Sequence, residues 1–248
     1  MGAIYVMWIR QLKKYVRSKP RMIGSLGQPL LFLVALGFGL GTIYQKAGGG
    51  NYIDFLVPGI VAMTVLFTAM FVGIDVIWDR QFGFLKETLV SPSSRLSLMI
   101  GRTLGGATVA SAQGLVVLLI SMLIGFRPLS FTHVLLSLVF MFLIAMLFTA
   151  LGTAIASKLE DMQAFPLIMN FIIMPLFFLS GAIFPLDSTS GVISTIAKFN
   201  PFSYGVDGLR YALTGVSRLG VFPDFAVLIV CLLVVGAVGS YLFSKIEI

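Results

Sequence analysis

Six windows of the sequence, 22–44, 53–78, 103–126, 131–157, 163–184 and 222–243, are apolar over about 20 residues or more, enough helix to cross a hydrocarbon core of roughly 30 Å. Inside lipid no water is available to backbone N–H and C=O groups, and runs of this length satisfy them as helices. The pattern predicts an all-α polytopic membrane protein: one transmembrane domain over 1–248 with six transmembrane helices. Composition agrees, because only 11% of the 248 residues are charged, against about 25% in soluble domains. The mean hydropathy is +1.02.

The placement of Lys and Arg orients the bundle. With the N-terminus inside, twelve fall on the cytoplasmic side (Arg10, Lys13, Lys14, Arg17, Lys19, Arg21, Arg80, Lys86, Arg95, Arg102, Lys158, Lys245). Five stay outside: Lys46, Arg127, Lys198, Arg210 and Arg218. Positive charge is retained on the cytoplasmic side, so both termini are expected there. The first long apolar run follows twenty-one residues with six Lys and Arg and has no convincing small-residue cleavage site, which reads as an uncleaved span. The same basic residues flank spans and form no stripe interleaved with aromatics, which argues against nucleic-acid binding.

Residues 1–21 read as an amphipathic helix ended by Pro20. Ile4, Trp8, Leu12, Tyr15 and Val16 line one side and Arg10, Lys13, Lys14 and Arg17 the other, a pattern suited to a helix lying in the cytoplasmic interface against anionic headgroups. A second amphipathic stretch, 80–92, lies between spans two and three. Drawn as one helix it sets Phe82, Leu85 and Leu89 on one side and Arg80, Phe84, Glu87 and Ser91 on the other. Ser91-Pro92 stops it and Ser93-Ser94 can cap the next helix. A large apolar group such as Phe84 beside Arg80 and Glu87 has the form of an anchor with a polar rim. The alternative is that Phe84 packs on its own bundle.

The outer segment before span six is too apolar for a disordered loop. Helical patterning over 190–199 and 204–214, with Asn200-Pro201 as a cap followed by proline at the first helical position, predicts two short re-entrant helices within 185–214. Pro58, Pro166 and Pro175 are expected to kink their helices. Gly37, Gly39 and Gly41 mark a packing seam.

Enzyme chemistry has little to work with. The sequence contains no G-x-x-x-x-G-K-[ST] phosphate loop and no H-E-x-x-H, and it has one histidine, His133, and one cysteine, Cys231. No metal site, cofactor or catalytic residue is expected on the chain. Asp75, a turn from the inner edge of span two, is read as a structural partner of Arg80 or of a basic residue in the N-terminal helix. Gln28, Gln113 and Asn170 are neutral polar residues inside spans, suited to interhelical hydrogen bonds or to a pathway.

Four motifs then occur in order: Pro58-Gly59 early in span two, R-Q-F-G-F-L-K-E-T-L-V-S-P-S-S-R at 80–95, S-G-A-I-F-P-L at 180–186 and N-P-F-S-Y-G-V-D-G-L-R at 200–210. Together they resemble the permease subunit of ABC-2-type exporters, which include drug-resistance and polysaccharide or lipo-oligosaccharide exporters. The resemblance covers nearly the whole chain. It implies a two-fold dimer of permeases, homodimeric or heterodimeric, in a prokaryotic plasma membrane, with two copies of a separate ATP-binding subunit that carry the Mg-ATP. It makes 80–92 the coupling helix, with Arg80, Phe84, Leu85, Lys86, Glu87, Thr88, Ser91 and Pro92 as ATPase-coupling candidates. The family often has an acidic residue where Arg80 and Gln81 stand, so the charge pairing differs here.

The family's seam between spans one and five selects Gln28, Leu31, Val34, Phe38, Asn170, Phe171, Met174 and Phe178 as pathway candidates. Phe184, Pro185, Asn200, Pro201 and Tyr204 are the outer gate candidates. The implied activity is ATP-driven export of an amphipathic or hydrophobic substrate: a drug, a lipid or a lipid-linked glycan. An ion-coupled secondary transporter acting alone is the alternative. An intramembrane enzyme lacks a catalytic constellation.

Overall fold

The structure, a computed structural model, describes residues 2–46, 51–90, 93–185 and 191–245. Eleven helices occur among them: α1 (Gly2–Arg17), α2 (Lys19–Lys46), α3 (Tyr52–Val72), α4 (Ile74–Gln81), α5 (Phe84–Val90), α6 (Arg95–Ile124), α7 (Phe131–Lys158), α8 (Ala164–Phe178), α9 (Gly191–Phe199), α10 (Pro201–Thr214) and α11 (Val221–Ser244). The protein is an all-α polytopic membrane protein. Among the described residues five helical stretches are long and apolar enough to cross a bilayer: Lys19–Gly39, Tyr52–Gln81, Arg95–Ile124, Phe131–Lys158 and Val221–Ser244.

The window 163–184 behaves differently. Its helix α8 runs 15 residues and ends at Phe178, a rise of about 22 Å, short of the core thickness. The chain turns because Ser180 Oγ donates to the Phe177 carbonyl at 2.6 Å and accepts from the Ala182 N–H at 3.2 Å. Gly181 then takes a φ of 80°, which residues with a Cβ disfavour. Pro166, expected to kink a span, lies in the first turn of α8, where its missing N–H breaks no helical bond.

α3 is the central helix, with Leu56, Val57, Ile60, Val61, Val65 and Leu66 completely buried. It meets α7 at backbone contact: a Cβ on Gly73, at the joint of α3 and α4, would lie 2.4 Å from the carbonyl of Gly152. Small residues let helices approach this closely in lipid, where packing replaces a hydrophobic drive. α10 is packed against α3, α7 and α11, with Phe202, Val206, Leu209 and Leu213 fully buried.

The first and last described residues, Gly2 and Lys245, lie at one end of the bundle, the end of the termini. There α1 runs along the first half of α6, the Arg95 guanidinium donates to the Ser244 carbonyl, and Met99 abuts Gly239 of α11. Glycine again makes the fit, since a Cβ on Gly101 would stand 2.7 Å from the Ile4 carbonyl oxygen and one on Gly105 2.6 Å from Gln11 Cβ. Met7 and Gln11 are the residues α1 buries, whereas Val16, placed by periodicity on the apolar side, is exposed. Ser18 lies between α1 and α2, and Pro20, expected to end the first helix, opens the second.

Candidate functional site

Asp75 and Asp79 sit four residues apart and share a face of α4, while Arg10 and Lys14 do the same on α1. The two faces meet as a double ion pair. Arg10 donates to both carboxylate oxygens of Asp79, at 2.6 and 3.0 Å. Lys14 Nζ lies 2.9 Å from Asp75, and Arg21, in the first turn of α2, reaches the same oxygen at 3.4 Å. Arg102 of α6, with no exposed surface, donates to Asp79 at 2.6 Å from the other side. A carboxylate with two guanidiniums satisfies the condition for a buried charge: paired and hydrogen-bonded. Of the two partners considered for Asp75 from sequence, it is the N-terminal helix that supplies one, and Arg80 goes elsewhere.

Arg80 caps α7. Its Nη1 donates to the Leu159 carbonyl at 3.1 Å and its Nη2 to the Ser157 carbonyl at 3.0 Å, placing a cation at the negative end of that helix. A single helix over 80–92 is not what forms, because Phe82 and Gly83 make a turn, Gly83 with a φ of 77°, between α4 and α5. Arg80 and Phe84 therefore belong to different helices, and Phe82 is 75% exposed while Leu85 is buried.

On α5 the Phe84 ring is partly exposed and carries the Arg10 guanidinium 3.9 Å above its centroid. Glu87 is exposed, and Thr88 Oγ1 donates to the Phe84 carbonyl at 2.9 Å. Lys86 lies on α5, its side chain outside the described residues; Ser91 and Pro92 lie outside them altogether. α5 thus sits at the end of the bundle that holds the termini, with Leu85 turned in and Phe84 and Glu87 turned out.

The pathway candidates fall on two open faces. Leu31, Val34 and Phe38 are exposed along α2, and Asn170, Phe171 and Phe178 are exposed along α8 with Met174 half-buried between them. Gln28, beside Pro29, borders an open cavity between α1, α2, α3, α4 and α6. At the opposite end Asn200 caps α10, accepting from the Phe202 N–H at 3.0 Å, and its Nδ2 donates to the Leu176 carbonyl of α8 at 2.6 Å. Pro201 is the first residue of α10, and the Tyr204 hydroxyl donates to the Lys198 carbonyl at 2.8 Å, so these three residues lock the α9–α10 junction. Phe184 is exposed and Pro185 half-buried in the turn after α8.

Sequence reasoning missed the centre of this arrangement. Asp79 and Arg102 received no role, although the matched four-residue spacings of Asp75/Asp79 and Arg10/Lys14 signalled two faces able to pair. It also missed Arg210, which donates to the Gly181 carbonyl at 2.9 Å and stacks 4.2 Å over Phe55, pinning the turn after α8. Tyr15, Gln113 and Ser25 join α1, α6 and α2: the Tyr15 hydroxyl donates to Gln113 Oε1, and Gln113 Nε2 donates to Ser25 Oγ at 2.8 Å. Burial pushes the Tyr15 phenol above its ordinary range.

The sequence pattern of ABC-2 type transporters matches residues 2–214. Nodulation protein J of Rhizobium leguminosarum bv. trifolii is 30% identical over 196 residues, 78% of this chain and 74% of that protein. The transport permease ycf38 of Cyanophora paradoxa is 26% identical over 259 aligned positions, 98% of this chain and 88% of its own length. The ycf38 protein of Porphyra purpurea is 29% identical over 201 residues, covering 79% of this chain and 68% of that protein.

Proposed function

The chain belongs to the ABC-2 type transporter family and is a transport permease, and we propose that it is the membrane subunit of an ATP-driven exporter whose hydrolysis takes place on a separate subunit. Two permeases, as a homodimer or a heterodimer, associate with two ATP-binding subunits that hold the Mg-ATP. The assembly sits in a prokaryotic plasma membrane with the termini and α5 in the cytoplasm. The substrate is an amphipathic or hydrophobic molecule of the drug, lipid or lipid-linked glycan class.

One observation carries this reading: α5 presents Phe84 and Glu87 outward while Arg10 ties the Phe84 ring to Asp79, and through it to Arg102. Displacement of α5 would therefore reach α1, α4 and α6 together. Phe84 is the anchor of the coupling surface and Leu85 holds α5 to the bundle; Lys86, Glu87, Thr88, Ser91 and Pro92 are the remaining coupling candidates, and Arg80 ties the preceding helix to α7. Substrate crosses along the open faces of α2 (Gln28, Leu31, Val34, Phe38) and α8 (Asn170, Phe171, Met174, Phe178). It leaves past Phe184, Pro185, Asn200, Pro201 and Tyr204.

The test is co-purification with a soluble ATPase, followed by substrate-stimulated ATP hydrolysis in Phe84→Ala and Glu87→Lys. Both variants should lose stimulation while the permease stays inserted and dimeric. Normal stimulation in both would remove α5 from the mechanism.

One feature fits the ion-coupled alternative. Asp224, in the first turn of α11, is completely buried and neither carboxylate oxygen has a hydrogen-bond partner, and buried carboxylates in membrane spans often serve proton pathways. Transport driven by a proton gradient, without any ATPase, and abolished by Asp224→Asn would favour that reading.

A further inference from the structure

A cavity of about 540 Å³ lies between α1, α2, α3, α4 and α6, within the roughly 300–1,000 Å³ typical of ligand sites. Its lining is sorted along the helix axis. Lys14, Arg21 and Asp75 stand at the end with the termini; Phe71, Phe67 and Met63 form the wall further in. Trp78, 41% exposed, borders the cavity beside the charged group, as tryptophans do at headgroup level. Between Trp78 and Met63 the α3–α4 stretch climbs about 22 Å, so the cavity reaches from the interface well into the hydrocarbon region.

The charges at the mouth do not cancel. Lys14 and Arg21 share a single Asp75 oxygen, at 2.9 and 3.4 Å, and each keeps about a third of its side chain exposed, 33% and 34%. Arg21 Nη2 is further engaged by the Phe71 carbonyl at 3.1 Å. Two cations against one carboxylate leave one positive charge where a slot lined by aromatics and methionine begins. Along its wall Phe67 meets Phe177 of α8, with ring centroids 6.1 Å apart, so the slot borders the helix whose other face is open.

We propose that this cavity binds an acidic amphiphile drawn from the adjoining leaflet. A phosphate or carboxylate head lies against Lys14 and Arg21, and the tail lies along Phe71, Phe67 and Met63. That the bound molecule is cargo awaiting export rests on the permease reading; the binding itself does not. With one positive charge left at the mouth, an anionic head is favoured over a zwitterionic one, whose own cation Lys14 and Arg21 repel, by on the order of tenfold.

The experiment uses the full-length chain with Trp8→Phe, leaving Trp78 as the reporter, in phosphatidylcholine vesicles doped with acyl-brominated phosphatidylglycerol or, at the same mole fraction, acyl-brominated phosphatidylcholine. Trp78 should be quenched several-fold more by the anionic lipid. Two variants should bring the ratio to about one. Lys14→Gln/Arg21→Gln/Asp75→Asn removes the charges without orphaning the carboxylate, and Thr68→Phe fills the cavity, which Thr68 lines, while leaving every charge in place. Equal quenching in the parent, or a preference that survives Thr68→Phe and so reflects only the basic face of α1, overturns the proposal. Relief of the preference by soluble glycerol phosphate would overturn the membrane source. No ATP or partner subunit is present, so failure here leaves the ATPase proposal standing, and failure to recruit an ATPase leaves the lipid preference standing.

Discussion

Arg10 lies over the ring of Phe84, 3.9 Å from its centroid, while both its terminal nitrogens are held by Asp79. One guanidinium thus joins α1, α4 and α5, and Arg102 brings α6 to the same carboxylate. A planar, forked cation suits this dual task, since it can be bidentate to a carboxylate and stacked on a ring at once. The consequence is mechanical: α5 has seven residues, and among its described side chains Leu85 is the one buried in the core cluster while Phe84 is gripped from α1.

Arg10→Ala should cost about 1–3 kcal/mol, the scale of charge-assisted hydrogen bonds, and leave the protein folded because Arg102 still neutralises Asp79. Its larger effect should be on coupling, with less transport per ATP hydrolysed. Arg10→Lys keeps the charge but loses the fork and the stack, and should fall between. Thermal unfolding in detergent and the transport-to-hydrolysis ratio check the two effects separately.

Asp79→Ala should be worse, by roughly 3–5 kcal/mol, because it strands the fully buried Arg102 without a counter-charge. Adding Arg102→Met should recover much of that loss, since an apolar side chain of similar length needs no partner. Unfolding midpoints of the parent, the single and the double variant test this, and a double variant no better than the single would show that the charge of Arg102 is not the cause.

Much of the fold was legible because lipid imposes it: long apolar runs had to be helices, α7 covers its window, and α6 starts at the expected Ser94 cap, ahead of the window 103–126. The site was less legible. Periodicity groups residues onto a face without saying what lies opposite, so Arg10 and Lys14 looked like residues for headgroups, and of the two carboxylates that α4 sets against them only Asp75 was expected to meet a basic residue of the N-terminal helix. It also cannot register one glycine: at Gly83 a positive φ divides a stretch that a helical wheel treats as continuous. The early end of α8 escaped notice because Ser180 and Gly181 act through hydrogen bonds and backbone angle, and hydropathy sees neither.

Glycines separate packing within the chain from packing between copies. Gly73→Ala should cost about 1–3 kcal/mol by overpacking, because its Cβ would meet Gly152 backbone, which cannot swing aside. Nothing lies within 4 Å of a Cβ at Gly39 on α2, so Gly39→Leu should leave thermal stability unchanged or raised through helix propensity. If α2 forms the seam between two permeases, Gly39→Leu should still weaken the dimer, read as a shift to monomer in native mass spectrometry. An unaffected dimer would move the seam away from this face.

Topology gives the last prediction. Glu87 is exposed on α5, at the end that holds the termini, and Lys198 is exposed on α9, beside Asn200 at the opposite end. Between them run the membrane-crossing helices, so single cysteines at the two positions must report opposite sides. The background is Cys231→Ser, a substitution at the one native cysteine, which is half-buried on α11. In intact cells a membrane-impermeant maleimide should label Lys198→Cys and leave Glu87→Cys unlabelled, and inverted vesicles should reverse the result. Labelling of Glu87→Cys from the outside would place α5 beyond reach of any ATP-hydrolysing subunit, since ATP is intracellular. The charge distribution of twelve basic residues against five would then have misled, and Arg10, Asp79 and Phe84 would need another purpose.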